Sequence, residues 1–286
     1  MAIIITSKDR RVEFGEGLPT VIIGERINPT GKKRLAEDLS QGKLDVLVQE
    51  AISQKEAGAD ILDVNVAASD VDETTILPKA VLKALEVSGL PVCIDSSNPE
   101  ALKKALEVYP YKALVNSVTG QEKSLNDVLP LVKKFGASIV GLTMDDSGIP
   151  KTADKRFDVA ERIIETAKSY GIAKEDIVID CLCLAQAAEA NSGVVTLETL
   201  TRVSKELGVA TVLGVSNMSF GMPDRKIINL SFLAQAISQG LNAAIVDPTI
   251  KGVVETILAS DFLAGRDSYG KRYLKYYREK MKAKKD

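Results

Sequence analysis

The 286-residue chain contains no histidine, and this absence restricts its chemistry more than any other feature of its composition. Without an imidazole group, the protein cannot build a Ser-His-Asp triad, a histidine-ligated metal site or a histidine general base. Any catalysis must therefore rely on carboxylates, amides, hydroxyls, lysine, arginine, cysteine or a cofactor.

Cysteine is also scarce, with three residues in the chain: Cys93, Cys181 and Cys183. All three fall in or beside predicted strands, which suits reduced thiols acting as small buried side chains. The Cys181-x-Cys183 pair lacks the histidine or second cysteine pair that a zinc site needs. The sequence therefore predicts no protein-bound metal.

No apolar stretch is long enough to cross a bilayer, and the first six residues are too short and too uncharged for a signal peptide. A cytoplasmic protein without a membrane partner is expected. The net charge of −2 gives no reason to expect a nucleic-acid partner. A length of 286 residues with 45% hydrophobic content predicts one globular domain over 1–286.

Eight short apolar runs along the chain each stop at or near a polar residue. The runs cover residues 21–24, 61–62, 92–94, 113–115, 139–142, 177–179, 212–215 and 243–246. The polar residues at or just past their ends are Glu25, Asp63, Asp95, Asn116, Thr143, Asp180, Asn217 and Asp247. These runs are interpreted as β-strands buried on both faces.

Segments with helical periodicity lie between the runs. They cover residues 45–57, 74–87, a stretch beginning at 99, 124–135, 157–170, 197–207, 226–239 and 250–262. Eight strand–helix repeats predict a parallel α/β fold, namely a (β/α)8 TIM barrel. A doubly wound open sheet is the alternative, but no Gly-x-Gly-x-x-Gly motif follows the first strand.

The two ends of the chain fall outside this repeat. Residues 1–20 are predicted to form a short hairpin across one end of the barrel. Residues 265–286 are predicted to form a basic helix with an apolar stripe. Most of its charges are expected on a solvated face, and an electrostatic dock for an acidic protein partner is the alternative.

In a closed barrel, the polar residues at the strand ends gather around one mouth, where such folds build their active sites. Asp95 follows its strand directly, and its carboxylate can accept hydrogen bonds from the paired N–H groups of a flat polar heterocycle. Alternatively, Asp95 caps the helix near residue 99. Asn116 and Asp180 also end predicted strands. Together with Asp95 they favour a binding site that is rich in hydrogen-bond donors and acceptors.

Three further polar residues are expected at the same mouth of the barrel. Asp63 and Asn65 follow one strand, although Asp63 could equally be a structural anchor. Asn217 offers an uncharged donor and acceptor that could stabilise developing charge, or it could stabilise only a turn. The nearby Gly214 allows close approach to the backbone.

Six sequence blocks in one order resemble the pterin-binding barrel family, and specifically the methyltetrahydrofolate–corrinoid methyltransferases. The blocks are residues 23–28, 58–65, 94–96, 115–117, 141–144 and 213–217. The resemblance extends from about Val21 to about Ala264.

The resemblance implies a role for each matching position. Asp95, Asn116 and Asp180 would hydrogen-bond the pterin, with Asp63 and Asn65 adding to the substrate site. Gly214 and Ser216 would line the pocket. Asn217 would be the catalytic residue near N5 of the folate.

The resemblance also implies the reactants. Tetrahydrofolate or 5-methyltetrahydrofolate would be the substrate, and a corrinoid (cobalamin) carried by a separate protein would be the other reactant. The methyl group can pass in either direction in such families. A homodimer is expected.

Two other functions remain open. Dihydropteroate synthase shares the barrel and the carboxylates, but that family carries a lysine-containing motif where this chain reads Gly214-Val215-Ser216-Asn217. A non-catalytic pterin-binding subunit is the second alternative.

Overall fold

A computed structural model describes residues 2–282 of the chain. Eight parallel strands form a closed barrel, and an antiparallel hairpin of two strands precedes it. The hairpin strands are β1 (Ala2–Thr6) and β2 (Arg11–Gly15). The barrel strands are β3 (Val21–Ile27), β4 (Ile61–Asn65), β5 (Val92–Asp95), β6 (Leu114–Thr119), β7 (Ser138–Leu142), β8 (Ile177–Asp180), β9 (Ala210–Gly214) and β10 (Ala243–Val246).

Pairing between the last and first barrel strands closes the sheet. Ala243 of β10 is in register with Val21 of β3, and the order around the barrel is β10-β3-β4-β5-β6-β7-β8-β9. The TIM barrel prediction is confirmed, and the open-sheet alternative is wrong. Seven of the eight strands differ in their bounds from the predicted runs, because most continue through the polar residue that was taken as their end.

Ten helices surround the barrel or follow it within residues 2–282. They are α1 (Lys33–Ser40), α2 (Asp45–Glu56), α3 (Glu73–Ser88), α4 (Pro99–Val108), α5 (Glu122–Phe135), α6 (Ala153–Ser169), α7 (Ser192–Arg202), α8 (Arg225–Ser238), α9 (Val253–Leu263) and α10 (Lys271–Lys282). A π-helical turn continues α7 to Leu207. The sequence did not predict α1, which is short and buries only Leu35 and Leu39.

Apolar side chains form two cores. The larger lies between the strands and the helices, and the smaller fills the inside of the barrel. Ile3, Ile5 and Phe14 of the hairpin are buried in the inner core together with Val21 and Ala243, which begin their strands. The predicted hairpin therefore closes the amino-terminal end of the barrel and leaves the opposite end for a site.

The predicted C-terminal helix is present as α10, and residues 283–286 of that prediction lie outside the described residues. No residue of α10 is buried. Its apolar stripe, which includes Leu274 and Tyr277, is 44% and 53% exposed at those two positions. The stripe therefore lies at the surface of the described chain.

None of the helices within residues 2–282 has the length and apolar character needed to span a membrane. The cysteines follow their prediction, since Cys93, Cys181 and Cys183 are all buried free thiols.

Candidate active site

A cavity of about 660 Å³ lies at the carboxyl ends of the barrel strands. It is lined by most of the predicted site residues: Asp63, Asp95, Asn116, Asp180, Gly214, Ser216 and Asn217. Asn65 does not line it. The other lining residues include Glu25, Lys32, Arg225, Lys226, Asn229, Ile245, Asp247 and Ile250.

Strand register brings the first group of polar residues together. Asp95 at the end of β5 is in register with Asn65 of β4 on one side and with Asn116 of β6 on the other. Asn65 donates from Nδ2 to Oδ2 of Asp95 at 2.9 Å. Asn65 therefore orients the Asp95 carboxylate from outside the cavity lining.

Asp95 does not cap the helix that follows it. Asn98 does so, because its Oδ1 accepts from the backbone N–H of Glu100 at 3.0 Å and of Ala101 at 3.3 Å. The Asp95 carboxylate is left directed to the site, and its burial raises its pKa to about 6.

Asp63 lies on β4, two residues before Asn65. Its Oδ1 accepts from Nδ2 of Asn116 at 3.3 Å, so it orients that amide. Burial and the charge of Asp95 together raise the pKa of Asp63 far above its ordinary value. Asp63 both lines the cavity and anchors Asn116.

Asp180 ends β8, and the loop that follows holds its carboxylate in one orientation. Its Oδ1 accepts from the backbone N–H of Leu182 at 2.7 Å, and Leu182 has a left-handed φ of 54°. The buried Arg156 donates to the carbonyl oxygens of Cys181 at 2.9 Å and Leu182 at 2.8 Å. Burial raises the pKa of Asp180 to about 7.

Thr143, which also follows a strand, has a structural role. It is fully buried, and its hydroxyl donates to the carbonyl oxygen of Asp180 at 3.1 Å. This bond ties the end of β7 to the end of β8.

Asn217 lies in a 3-10 turn, Val215–Ser219, immediately after β9. Its amide Nδ2 would lie 3.3 Å from a Cβ at position 214, so glycine at that position makes room for the side chain. Among residues 2–282, the side chain of Asn217 has no hydrogen-bond partner, although it lines the cavity. Its backbone carbonyl does accept from Phe220 at 3.1 Å, so the turn depends on the backbone, and the amide group is available to a ligand.

The two walls of the cavity come from opposite strands. In the eight-stranded order, β5 is opposite β9 and β6 is opposite β10. Asp95 and Asn116 therefore occupy one wall, and Asn217 follows the strand of the other wall. A flat ligand can span the mouth between them.

Sequence reasoning gave Glu25 and Asp247 no role, but both line the cavity. The hydroxyl of Ser216 donates to Oε2 of Glu25 at 3.2 Å, and burial raises the pKa of Glu25 to about 7. Asp247 instead accepts from Nη1 of Arg26 at 2.8 Å. The available signal was that both directly follow an apolar run of the sequence; in the structure Glu25 lies within β3 and Asp247 directly follows β10.

Within residues 2–282, no three or more histidine, cysteine, aspartate or glutamate side chains are arranged to hold a metal ion. The chemistry of the cavity is that of carboxylates, amides and ammonium groups.

Comparison with known proteins fits this geometry. Residues 24–247 match the family described as pterin binding enzyme. The chain belongs to this family.

Two kinds of curated relative are similar over most of the chain. The methylcorrinoid:tetrahydrofolate methyltransferase of Eubacterium limosum is 31% identical over 268 residues, which cover 91% of this chain and 96% of that one. The methionine synthases of Mycobacterium leprae and Mycobacterium tuberculosis are 30% and 29% identical over 85% of this chain. This pterin-binding chain corresponds to 21% of the length of each synthase.

Solved structures with a similar barrel include dihydropteroate synthases. That of Yersinia pestis has a TM-score of 0.68 and 16% identity, covering 91% of this chain and 99% of that one. That of Xanthomonas albilineans has a TM-score of 0.67 and 18% identity, covering 92% and 99%. At this identity the likeness establishes the shared fold.

Proposed function

We propose that the protein is a methyltransferase that moves a methyl group between N5 of tetrahydrofolate and the cobalt of a corrinoid carried by a separate protein. The observation that carries the proposal is that two opposite walls of one cavity present different polar groups. Asp95 and Asn116 offer acceptors on one wall, and Asn217 offers an uncharged amide on the other. The similarity to the methyltransferase of Eubacterium limosum over nearly the whole chain supports the same function.

The first wall suits the edge of a pterin ring. That edge presents adjacent N–H donors, and a carboxylate can accept two of them in parallel. Asp95, fixed by Asn65, is an acceptor with a defined orientation on this wall. Asp180, fixed by Leu182, is a second oriented acceptor, and it ends β8, which pairs with β9 on the side of Asn217. Asn116 adds a group that can both donate and accept.

The second wall suits the reacting nitrogen. A methyl group on a tertiary amine leaves only when the nitrogen is protonated or strongly hydrogen-bonded. The amide of Asn217 can serve this nitrogen as a donor or an acceptor without a charge of its own. Gly214 provides the space that the amide occupies.

Glu25 is a group on this side that can hold or release a proton near neutral pH. Its pKa of about 7 results from burial, and the hydroxyl of Ser216 fixes its carboxyl group. A proton that arrives at or leaves the folate nitrogen can be exchanged with a group of this pKa.

The mouth of the cavity suits a large second reactant. Phe220, just after the 3-10 turn, and Ile227 of α8 are 67% and 62% exposed, and Ile227 follows the cavity-lining residues Arg225 and Lys226 in the chain. A corrinoid, when presented there by its own protein, supplies the cobalt that gives or accepts the methyl group. The residues of this chain bind and orient the folate.

Three broader expectations belong to the same proposal: a single domain, a homodimer and a cytoplasmic location. Leu263 at the end of α9 and Tyr269 before α10 are 84% and 89% exposed, and such side chains supply apolar surface for a dimer. Light scattering of the purified protein tests the dimer, and cell fractionation tests the location.

The deciding experiment incubates the protein with tetrahydrofolate and a methylated corrinoid protein, and measures 5-methyltetrahydrofolate; the reverse reaction is run with 5-methyltetrahydrofolate. Methyl exchange in either direction supports the proposal. Condensation of a pterin pyrophosphate with p-aminobenzoate would favour dihydropteroate synthase. Folate binding without exchange would favour a non-catalytic subunit.

A further inference from the structure

Arg156 of α6 is almost fully buried, with 1% of its surface exposed. Within residues 2–282, the groups that accept from its guanidinium are all uncharged, namely the carbonyls of Pro150, Cys181 and Leu182 and the hydroxyl of Thr196. Burial of a cation that is not hydrogen-bonded to a carboxylate is unfavourable, because the cation gives up its hydration for weaker acceptors. This cost indicates that the contacts of Arg156 serve a specific geometry.

One of these contacts leads directly to Asp180. The carbonyl of Cys181 and the N–H of Leu182 belong to the same planar peptide group. Arg156 donates to the carbonyl oxygen at 2.9 Å, and the N–H on the opposite edge donates to Oδ1 of Asp180 at 2.7 Å. Because the group is planar, fixing its oxygen also fixes the direction of its N–H. A single peptide group therefore links the buried guanidinium to the Asp180 carboxylate.

Leu182 adopts a backbone conformation that needs such support. Its φ of 54° lies in the left-handed region, which is unfavourable for leucine and persists only where neighbouring contacts fix it. Its own carbonyl accepts from Nη1 of Arg156 at 2.8 Å and from the hydroxyl of Thr196 at 2.9 Å. Donors from α6 and α7 thus hold the peptide groups on both sides of Leu182.

We propose that Arg156 is a positioning residue for the pterin acceptor Asp180 and acts through the peptide group between Cys181 and Leu182. Arg156 is not among the described residues that line the cavity, so it acts on a ligand only through this loop. The inference rests on the proposed folate function. Without the guanidinium, the Asp180 carboxylate loses its fixed orientation and the N–H donor that stabilises its ionised form.

The test measures dissociation constants for tetrahydrofolate at pH 7 and pH 9. Arg156→Lys keeps the charge but loses the planar fork that reaches several oxygens at once. The constant rises about tenfold at pH 7, in line with the loss of a hydrogen bond to a charged group. The loss is smaller at pH 9, where Asp180 is ionised in both proteins. A change in packing alone gives the same loss at both pH values.

Other titratable groups near Asp180 do not produce this difference. The thiols of Cys181 and Cys183 are its neighbours in the loop, and burial raises the pKa of the first well above its ordinary value and that of the second to about 12. Both therefore stay neutral at pH 9. The charged groups that line the cavity are shared by the two proteins, so their titration cancels in the ratio of constants; they include Glu25, Asp63, Asp95, Lys32, Arg225 and Lys226.

A pair of threonine variants tests the same link without changing a charge. Thr196→Val removes one donor to the Leu182 carbonyl and raises the constant about threefold at pH 7. Thr199→Val is the matched control, because Thr199 is equally buried one turn along α7 and donates to Val195 of the same helix at 2.7 Å. It leaves the constant unchanged. This pair decides the question if Arg156→Lys does not fold.

Three results would overturn the positioning role: an unchanged constant in folded Arg156→Lys, an equal loss at the two pH values, or equal effects of the two threonine variants. The expected affinity pattern without methyl exchange would overturn the proposed function and leave the role of Arg156 standing. Failure of the unchanged protein to bind tetrahydrofolate would overturn both.

Discussion

Asp95 and Asn217 originate from opposite strands of the barrel and line the same cavity, one at the end of β5 and one just after β9. Asp95 is a partly buried carboxylate fixed by a neighbouring amide, whereas Asn217 is an amide whose side chain has no partner within residues 2–282. We propose that these different surroundings divide ligand binding, at Asp95, from chemistry, at Asn217, and the division can be measured.

Asn217→Ala is expected to lower the rate of methyl transfer by about 100-fold or more, the usual cost of losing one group that stabilises developing charge. The dissociation constant for tetrahydrofolate should change much less, because the ring remains held at the other wall. Single-turnover rates and equilibrium binding are measured side by side. Small and equal changes in both quantities would contradict the role given to Asn217.

Asp95→Ala is expected to act mainly on binding. Loss of a charged acceptor should weaken pterin affinity by about ten- to a hundredfold, in line with hydrogen bonds to charged groups. Asn98→Ala, which removes the cap of α4, should instead cost about 1 kcal/mol of stability and leave affinity unchanged. If Asn98→Ala reduced affinity as strongly as Asp95→Ala, the separation of cap and ligand site would be wrong.

Pterin affinity should depend on pH through Asp95. Burial raises its pKa to about 6, so the carboxylate is ionised above that pH and protonated below it. Protonation removes an acceptor for the ring edge, and affinity should fall as the pH drops through about 6. Titration calorimetry from pH 5 to 8 checks this, and Asp95→Asn should flatten that part of the profile.

Asp180→Asn should stabilise the folded protein at alkaline pH. Because burial raises the folded-state pKa of Asp180 to about 7, the folded protein binds more protons than the unfolded chain between pH 4 and 7. The stability contributed by this group is therefore present at low pH and lost as the pH rises through about 7.

The variant removes that loss and retains an acceptor for Leu182. Its gain in unfolding free energy at pH 8 should be on the order of 3 kcal/mol and should shrink towards zero at pH 4. Denaturant unfolding at both values measures the difference. A gain that does not change with pH would mean that ionisation of Asp180 is not its source.

Gly214→Ala tests the space around the amide of Asn217, the proposed catalytic group. The added Cβ would lie 3.3 Å from Nδ2 of Asn217, so the amide must shift by a few tenths of an ångström. Methyl transfer should fall about tenfold, since catalytic groups tolerate little displacement, while folding is retained. Thermal unfolding and single-turnover rates are compared with those of the unchanged protein.

Much of this architecture follows from local sequence. Apolar runs ending in Asp95, Asn116 and Asp180 indicate strands whose polar ends meet at one mouth, and the structure places all three there. Helix α1 was missed because Lys33–Ser40 is short and has only two buried positions.

The contacts within the site could not be predicted in the same way. The link from Asn65 to Asp95 depends on register between strands 30 residues apart, and the approach of Ser216 to Glu25 spans 191 residues. No sequence pattern selects Lys226, because a lysine in the first turn of a helix is common. Closure of the barrel is what brings it to the cavity.

The most direct test of the central claim mixes the protein, preloaded with isotope-labelled 5-methyltetrahydrofolate, with cob(I)alamin in a single turnover. Label should pass to the cobalt with the unchanged protein and be slowed about 100-fold or more in Asn217→Ala, with both proteins saturated with folate. Absence of transfer by the unchanged protein, or equal rates in the two proteins, would contradict the account.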